Sequence, residues 1–398
     1  MKGKQLLNLA KLLIFASLML FVVMRISFRS YAAPHAAAEG PGTRVDLRHI
    51  DNTTKSFDWQ GEEVVLDVVK GEQGTSWRDR EGRRWRLTVG FLHRLAHMDL
   101  TLLFLGALAY FLCASFSSLR WRWLLTANGL SVSIFEAWRL TWIGIFFNNV
   151  VPGLTGGDLI KAYYIARHTG KKTVPILTVI VDRILGLAAL ATLALIVVLW
   201  NLGHFSRASQ SGYIIWGIPA VLAVVAFITV LFLSRRIRRA LHLSALMRRL
   251  PFSGLLMQID SALTFYRTRK LALTFWFIAS VANHLLSTGF IVVLGIAMGL
   301  RIPLADYFVL VPVINIASAA PIAPAGWGVG EALYDFCFTR FSVLGPGEGA
   351  GLSAVSRVVI TVLSLLGGVL LLGMKDRVST RVIEEEMHQE DEACREKE

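Results

Sequence analysis

Long apolar runs separated by short charged segments set the pattern of this chain. A helix needs about 20 apolar residues to cross a bilayer. Six runs reach or approach this length. They cover residues 12–24, 100–119, 174–200, 212–233, 271–300 and 352–374. The pattern therefore predicts an all-α polytopic membrane protein with about six full spans.

A polar segment follows the first of these runs. Residues 1–29 read as an N-terminal transmembrane anchor, because lysines precede the apolar run and Arg25 and Arg29 follow it. Cleavage as a secretory signal is the alternative, since residues 36–38 resemble a small-residue cleavage site. Residues 30–98 alternate between apolar and polar positions, with turns at Gly and Asp/Asn, which predicts an extracytoplasmic β-rich insert of roughly two to four strands.

Two apolar stretches are broken by proline and glycine. Residues 136–167 contain NNVVPGLTGGDLIKAYYI, in which Pro152 and a pair of glycines interrupt the helical pattern before it resumes. Residues 305–340 contain a second interruption, PIAPAGWGVGEALY, and Pro312 also counts against a continuous helix there. Because broken backbone at membrane depth must be covered by protein or water, each stretch is predicted to be a re-entrant helical hairpin.

The order of these elements repeats along the chain. A span, a broken hairpin and a span occur within residues 100–200 and again within residues 271–374. If the N-terminus is cytoplasmic, the two groups start in opposite directions across the membrane. We therefore expect an inverted repeat, in which a binding site lies near the bilayer midplane between the repeats.

Composition and charge support a membrane protein. The 398 residues are 54% hydrophobic and 17% charged, with a mean hydropathy of +0.55. A nucleic-acid partner is not expected despite the net charge of +13, because the cations crowd beside the apolar runs, as topology signals do. These cations lie at 120–122, 167–172, 235–270 and 375–381. They predict both termini on the cytoplasmic side of the cell (inner) membrane, with a transmembrane domain over 99–375 and a cytoplasmic tail over 376–398.

Several conspicuous residues have plain structural interpretations. The sequence RWRW at 120–123 reads as an aromatic and cationic anchor at the cytoplasmic interface. His284, isolated on an apolar helix, is expected to be a hydrogen-bonded core histidine. The cysteines Cys113, Cys337 and Cys394 form no CxxC motif and no Cys/His cluster, so no metal, cofactor or disulfide framework is expected.

Charged side chains inside the apolar runs are the candidate functional residues. An Asp, Lys or Arg at the centre of a membrane helix costs about 2.5–3.5 kcal/mol on insertion scales, so it marks a functional candidate. Asp158 and Lys161 begin the second half of the first hairpin, where N–H groups and the helix dipole favour an anion such as a phosphate. Asp158 can instead cap that helix, and Lys161 can pair with it at i+3 or snorkel to the interface.

Further ionisable groups could join these two in a central ionic network. Asp182 and Arg183 point about 100° apart on a helix, so Arg183 can face Asp158 or a substrate phosphate. A purely structural ion pair is the alternative. Glu331 follows a Gly-rich turn, where it can cap its helix or pair with Arg183 or Arg357.

These motifs, taken together, resemble one family. NNVVPGLTGGDLIKAYYI, VDRILGL and PIAPAGWGVGEALY look like the transmembrane flippase-like region of lysylphosphatidylglycerol synthases, which also occurs in stand-alone YbhN-type membrane proteins. The resemblance spans about residues 95–375. It implies that the protein moves a phospholipid, or a lipid-linked anionic headgroup, between membrane leaflets.

The resemblance and the charge pattern together give a substrate-binding set with no catalytic residue. Its members are Asn149, Gly157, Asp158, Lys161, Asp182, Arg183, Gly326, Glu331 and Arg357. The sequence departs from the family at Ala325, where glycine is usual, at Lys161, where arginine is commoner, and at Asp182, where glutamate is frequent.

The sequence is also compatible with two other classes of function. Lysylphosphatidylglycerol synthases also carry an aminoacyl-transferase domain, but only about 24 residues follow the last predicted span, so lipid aminoacylation is not expected. An intramembrane enzyme using Asp158, Asp182 and Glu331 as acid/base groups is one alternative to transport. A non-catalytic scaffold of envelope lipid metabolism, which makes its contacts through the β-rich insert, is the other.

Overall fold

The computed structural model describes part of the chain. It covers residues 31–34, 45–46, 55–59, 62–71, 74–78, 84–88, 90–150, 157–169, 173–200, 270–318 and 328–374. The predicted anchor, the run at 212–233, the residues around Pro152 and Gly326, and the tail lie outside the described residues.

The chain divides into two compact units, each of which is described by itself. The first unit contains residues 1–104, 292–303 and 327–355. The second unit contains residues 105–291, 304–326 and 356–398.

Nine helices account for most of the described residues after Gly90. They are α1 Phe91–Ala96, α2 Leu100–Ala127, α3 Ile134–Val150, α4 Gly157–Thr169, α5 Thr173–Trp200, α6 Lys270–Ala297, α7 Leu304–Ser318, α8 Val329–Phe341 and α9 Glu348–Leu372. Within the described ranges, α2, α5, α6 and α9 are long and apolar enough to cross a membrane. The predicted order of span, helix pair and span occurs twice, as α2 to α5 and as α6 to α9, while the re-entrant course of each helix pair stays a prediction.

The first unit contains an antiparallel sheet. Its strands are β1 Tyr31–Pro34, β2 Val45–Asp46, β3 Lys55–Trp59, β4 Glu62–Gly71, β5 Gly74–Arg78 and β6 Arg84–Thr88. Their order across the sheet is β2-β1-β6-β5-β4-β3, and Trp77 of β5 lies opposite Val68 of β4 and Trp85 of β6. The number of strands exceeds the two to four predicted, because strands of four or five residues such as β1 and β5 are too short to display a clear alternation.

The core of the second unit forms where α2, α3, α4 and α5 meet. Trp121 of α2, Ile143 of α3 and Tyr164 of α4 are almost completely buried in one apolar cluster. Trp276 brings α6 into contact with α2 and α5 in a smaller cluster. Helix α7 packs along α5. These contacts set the rotation of α2, α4 and α5 about their axes, and therefore the direction in which their charged side chains point.

The interpretation of residues 120–123 as an interface anchor is wrong for Arg120 and Trp121. Helix α2 continues through them to Ala127 and ends where Gly129 takes a φ of 75°, with the Leu130 N–H bonded to the Leu125 carbonyl. This is the usual glycine-terminated helix end. Arg120 and Trp121 are buried. The arginine does not stop the span, because it has polar partners inside the protein.

Helices α3 and α4 touch through two glycines. A Cβ on Gly144 would lie 2.7 Å from the Gly157 carbonyl oxygen, and a Cβ on Gly157 would overlap the Gly144 carbonyl. Only residues without a Cβ permit this approach. The contact holds the first turn of α4 against the middle of α3.

The prediction that Pro312 interrupts the second broken segment is also wrong. Helix α7 runs through Pro312, which is buried, and ends at Ser318. A proline removes one helical hydrogen bond, which the buried helix tolerates. Helix α8 then begins after Gly328, whose φ is 81° and whose N–H donates to Glu331 Oε2 at 2.6 Å.

Candidate functional site

Five charged side chains of the second unit form what we call the ion cluster. Arg120 comes from α2, Asp158 and Lys161 from α4, and Asp182 and Arg183 from α5. Three cations and two carboxylates leave the cluster with one surplus positive charge. A group of this composition inside apolar helices favours an anionic ligand.

Asp158 bridges the two cations nearest to it. Its Oδ1 lies 2.8 Å from Lys161 Nζ, and its Oδ2 pairs with Arg183 Nη2. The Lys161 side chain is 6% exposed and the Arg183 side chain 64% exposed. One carboxylate therefore connects a buried cation to an exposed one. The sequence allows both pairs among its alternatives, Asp158 with Lys161 and Asp158 with Arg183.

Lys161 also lies against an aromatic face. Its Nζ is 4.7 Å from the centre of the Trp121 ring, a distance typical of a cation–π contact. Trp121 is itself held by a hydrogen bond from its Nε1–H to Thr178 Oγ1 at 3.3 Å. Packing on α2 and α5 therefore fixes the position of the lysine charge.

Arg120 ties together the second pair of the ion cluster and a neighbouring helix. Its Nη2–H donates to Asp182 Oδ2 at 2.9 Å, and its Nη1–H donates to Ser280 Oγ of α6. Among the described residues, Arg120 Nε and Asp182 Oδ1 are buried without a hydrogen-bond partner. Arg120 and Asp182 thus link α2, α5 and α6, and each keeps one polar atom that could still form a hydrogen bond.

The amino-terminal end of α4 differs from its prediction. Asn148 Oδ1 of α3 accepts the Gly157 N–H at 2.8 Å, so this N–H is not available to an anion. Asn149, the predicted ligand, donates to the Ile145 carbonyl of its own helix. Asp158 is the second residue of α4 and does not stand in the capping position before it. The charged groups at this helix start are the side chains of Asp158 and Lys161.

The remaining predicted site residues are Glu331, Arg357 and Gly326. Glu331 accepts the Gly328 N–H, which is the capping role that the sequence allowed. Arg357 is half-buried on α9 in the second unit, and Gly326 lies outside the described residues. Pairing of Glu331 with Arg183 or Arg357 would join the two compact units and stays a prediction.

The structural interpretation of His284 holds. His284 lies on α6, and its Nε2 is 3.0 Å from the Gly186 carbonyl, as expected of a core histidine. Cys113 and Cys337 are buried free thiols. In the part of the chain that the structure describes, His, Cys, Asp and Glu side chains form no group of three that could hold a metal ion.

Sequence reasoning missed three residues of this region: Arg120, Asn148 and Ser280. A signal for Arg120 was present, because the apolar pattern resumes with two leucines after Trp123 and the first helix-ending glycine is Gly129. Asn148 and Asn149 are adjacent, and only the packing of α3 on α4 decides which one reaches Gly157.

Comparison with known proteins places this geometry in a family. The sequence pattern of the family described as the lysylphosphatidylglycerol synthase TM region matches residues 87–368, which include the whole ion cluster. The chain belongs to this family. Membership and the apolar helices together make it a multi-pass membrane protein.

A UPF0104 membrane protein of Pyrococcus horikoshii is a relative of this chain. The two are 30% identical over 152 residues, which are 37% of this chain and 44% of that protein. The chain thus matches less than half of the length of that relative.

Proposed function

We propose that the protein is a flippase-like transporter, which moves a phospholipid or a lipid-linked anionic headgroup between leaflets. The observation that carries the proposal is the bridge of Asp158 between buried Lys161 and exposed Arg183. A lipid phosphodiester resembles this carboxylate, since it offers two oxygens that share one negative charge. It can therefore take the place of Asp158 between the same two cations.

Each cation of the bridge has a distinct task in this scheme. Arg183 is exposed and meets the headgroup first with its planar donor fork. Lys161 is buried and draws the phosphate inward as a point charge. Arg120 and Asp182 keep α2 and α5 in place while the headgroup passes, and the acyl chains stay in the bilayer.

The first helix pair supplies the route in this proposal. If α3 and α4 form a re-entrant hairpin, the headgroup reaches Asp158 from the cytoplasmic face. Cysteines introduced at exposed Ser133 and His168 should then be labelled by an impermeant reagent from the same side. Labelling from opposite sides would refute the hairpin.

An intramembrane enzyme is the less favoured function. Asp158 and Asp182 each accept bonds from cations, and Glu331 caps its own helix, so these carboxylates are poorly placed to act as general acids or bases. Mass spectrometry of mixed lipids incubated with the protein would reveal a product if catalysis occurred. For the scaffold alternative, deletion of residues 40–90 should abolish the cellular role.

Leaflet exchange in liposomes tests the transport proposal. Fluorescent phosphatidylglycerol should exchange at least about tenfold more slowly with Lys161→Ala or Arg183→Ala, equivalent to about 1.4 kcal/mol. Arg167→Ala is the matched control, because Arg167 is an exposed cation on the same helix as Lys161. Equal exchange by all these variants would contradict the assigned roles.

The same proposal includes a location. The crowding of arginine and lysine beside particular apolar runs favours the cell (inner) membrane, with both termini in the cytoplasm. A reporter enzyme fused to each terminus, active only in the cytoplasm, should be active in both fusions.

A further inference from the structure

The first unit contains an open cleft beside the start of α2. Its volume is about 340 Å³, and it is lined by His93, Arg94, His97, Asp99, Leu102 and residues 296–299 at the end of α6. Polar groups from α1 and the α1–α2 turn face the backbone of the α6 end across this space. We call it the histidine cleft.

Two histidines stack on one face of α1. The rings of His93 and His97 are 4.1 Å apart and nearly parallel, and both side chains are exposed. His97 Nδ1 lies 2.9 Å from the His93 carbonyl, so Nδ1 carries the hydrogen and Nε2 is the nitrogen that gains a proton. Two imidazole rings are therefore held side by side.

Arg94 is anchored at the base of the same cleft. Its Nη1–H donates to the Met298 carbonyl at 3.2 Å, and its Nη2 pairs with Glu348. Glu348 Oε2 also accepts the Gly345 N–H at 2.9 Å. Arg94 Nε is buried and has no hydrogen-bond partner within the described ranges, so one donor of this fixed cation is unused.

The charge of the cleft depends on its two histidines. Glu348 offsets Arg94, and Asp99 adds one negative charge while its Oδ1 accepts the Thr101 and Leu102 N–H groups. With neutral histidines the five side chains therefore sum to one negative charge. With both histidines protonated they sum to one positive charge.

We propose that the histidine cleft is a second anion-binding site, which takes a phosphate-bearing group when His93 and His97 are protonated. The group is either a lipid headgroup or free phosphate, since both present the same oxygens to two imidazolium rings and Arg94. This site shares no residue with the ion cluster and does not depend on the proposed transport.

The environment of His93 agrees with such a ligand. Partial desolvation, the neighbouring His97 and the Arg94 guanidinium hold the pKa of His93 below its usual value. A bound anion offsets the repulsion from both neighbours, so anion binding and protonation favour each other.

Equilibrium binding to the purified full-length protein tests the site. The probes are inorganic phosphate and soluble dihexanoyl phosphatidylglycerol, each at about pH 7.5 and about pH 5.5. We expect binding at least about tenfold tighter at the lower pH, and tighter binding of the lipid than of phosphate identifies a headgroup site. Tighter binding of phosphate identifies a site for the free anion.

Substitutions distinguish pH-dependent binding at the histidine cleft from other effects of low pH on the protein. His93→Gln with His97→Gln should abolish the gain in affinity at low pH. His168→Gln is the matched control, because exposed His168 also bonds the carbonyl four residues before it, and it should keep the gain. Lys161→Ala should keep it too, which distinguishes the cleft from the ion cluster. Equal affinity at both pH values, no binding of either probe, or an unchanged gain in the double variant would overturn the proposal.

Discussion

The ion cluster and the histidine cleft use similar groups in opposite ways. In the ion cluster, arginine, lysine and aspartate supply the charges, and four of the five side chains are mostly buried. In the cleft, the charges of Arg94 and Glu348 offset each other, and the protonation of two exposed histidines sets the net charge. Under the two proposals, the ion cluster attracts an anion through the surplus of its Arg and Lys side chains, and the cleft attracts one only when its histidines are protonated.

The two regions also differ in what their charges cost the fold. Removing one partner of a buried ion pair leaves the other charge uncompensated, at about 3–5 kcal/mol. The histidines of the cleft are exposed, and substitutions at exposed positions usually change stability by less than about 0.5 kcal/mol. Variants of the ion cluster should therefore affect stability and function, whereas variants of the two cleft histidines should affect mainly binding.

Arg120→Ala should have the largest effect. It leaves the Asp182 carboxylate, 12% exposed, without its cation and removes the donor to Ser280, so we expect a loss of about 3–5 kcal/mol in the free energy of unfolding. Denaturant unfolding of the protein in detergent measures this loss, and Arg167→Ala should cost less than about 0.5 kcal/mol. Equal losses of unfolding free energy for the two variants would contradict the claim that the buried Arg120–Asp182 pair stabilises the fold.

Gly157→Ala should have the next largest effect. The new Cβ overlaps the Gly144 carbonyl, so α4 must shift and carry Asp158 and Lys161 with it, at about 1–3 kcal/mol. Leaflet exchange should fall, while phosphate binding by the histidine cleft at low pH should persist. Gly289→Ala on α6 is the control, because nothing lies within 4 Å of its Cβ position. Loss of cleft binding in Gly157→Ala would contradict the independence of the two regions.

The pH dependence of stability should show the smallest effect. The pKa of His93 is lowered in the folded protein, so below the unfolded value of about 6.5 the unfolded state binds more protons. Stability in phosphate-free buffer should therefore decline as the pH falls from about 6.5 through the lowered folded pKa. The measurement is the midpoint temperature of thermal unfolding as a function of pH, and His93→Gln should weaken its decline. A steeper decline in that variant would show that His93 does not lower stability as the pH falls.

The sequence predicted the apolar helices, the two broken segments and the pairing of Asp158 with Lys161 and Arg183. These features follow from local patterns: hydrophobic runs, proline and glycine, and helical spacing. It did not predict the burial of Arg120, because an RWRW sequence has the same composition at an interface and in a core. It also did not predict Asn148 at the start of α4, since the approach of Gly144 to Gly157 exists only after the helices have packed.

The most direct test of the ion cluster compares both members of one ion pair. Binding of dihexanoyl phosphatidylglycerol is measured at about pH 7.5, the higher pH of the cleft experiment. If the phosphate replaces Asp158, then Asp158→Asn should bind the lipid several-fold more tightly than the unsubstituted protein, because the competing carboxylate is gone. Lys161→Met should bind it at least about tenfold more weakly, equivalent to about 1.4 kcal/mol. Equal weakening by both substitutions would mean that the pair only holds the fold together, and the account would be contradicted.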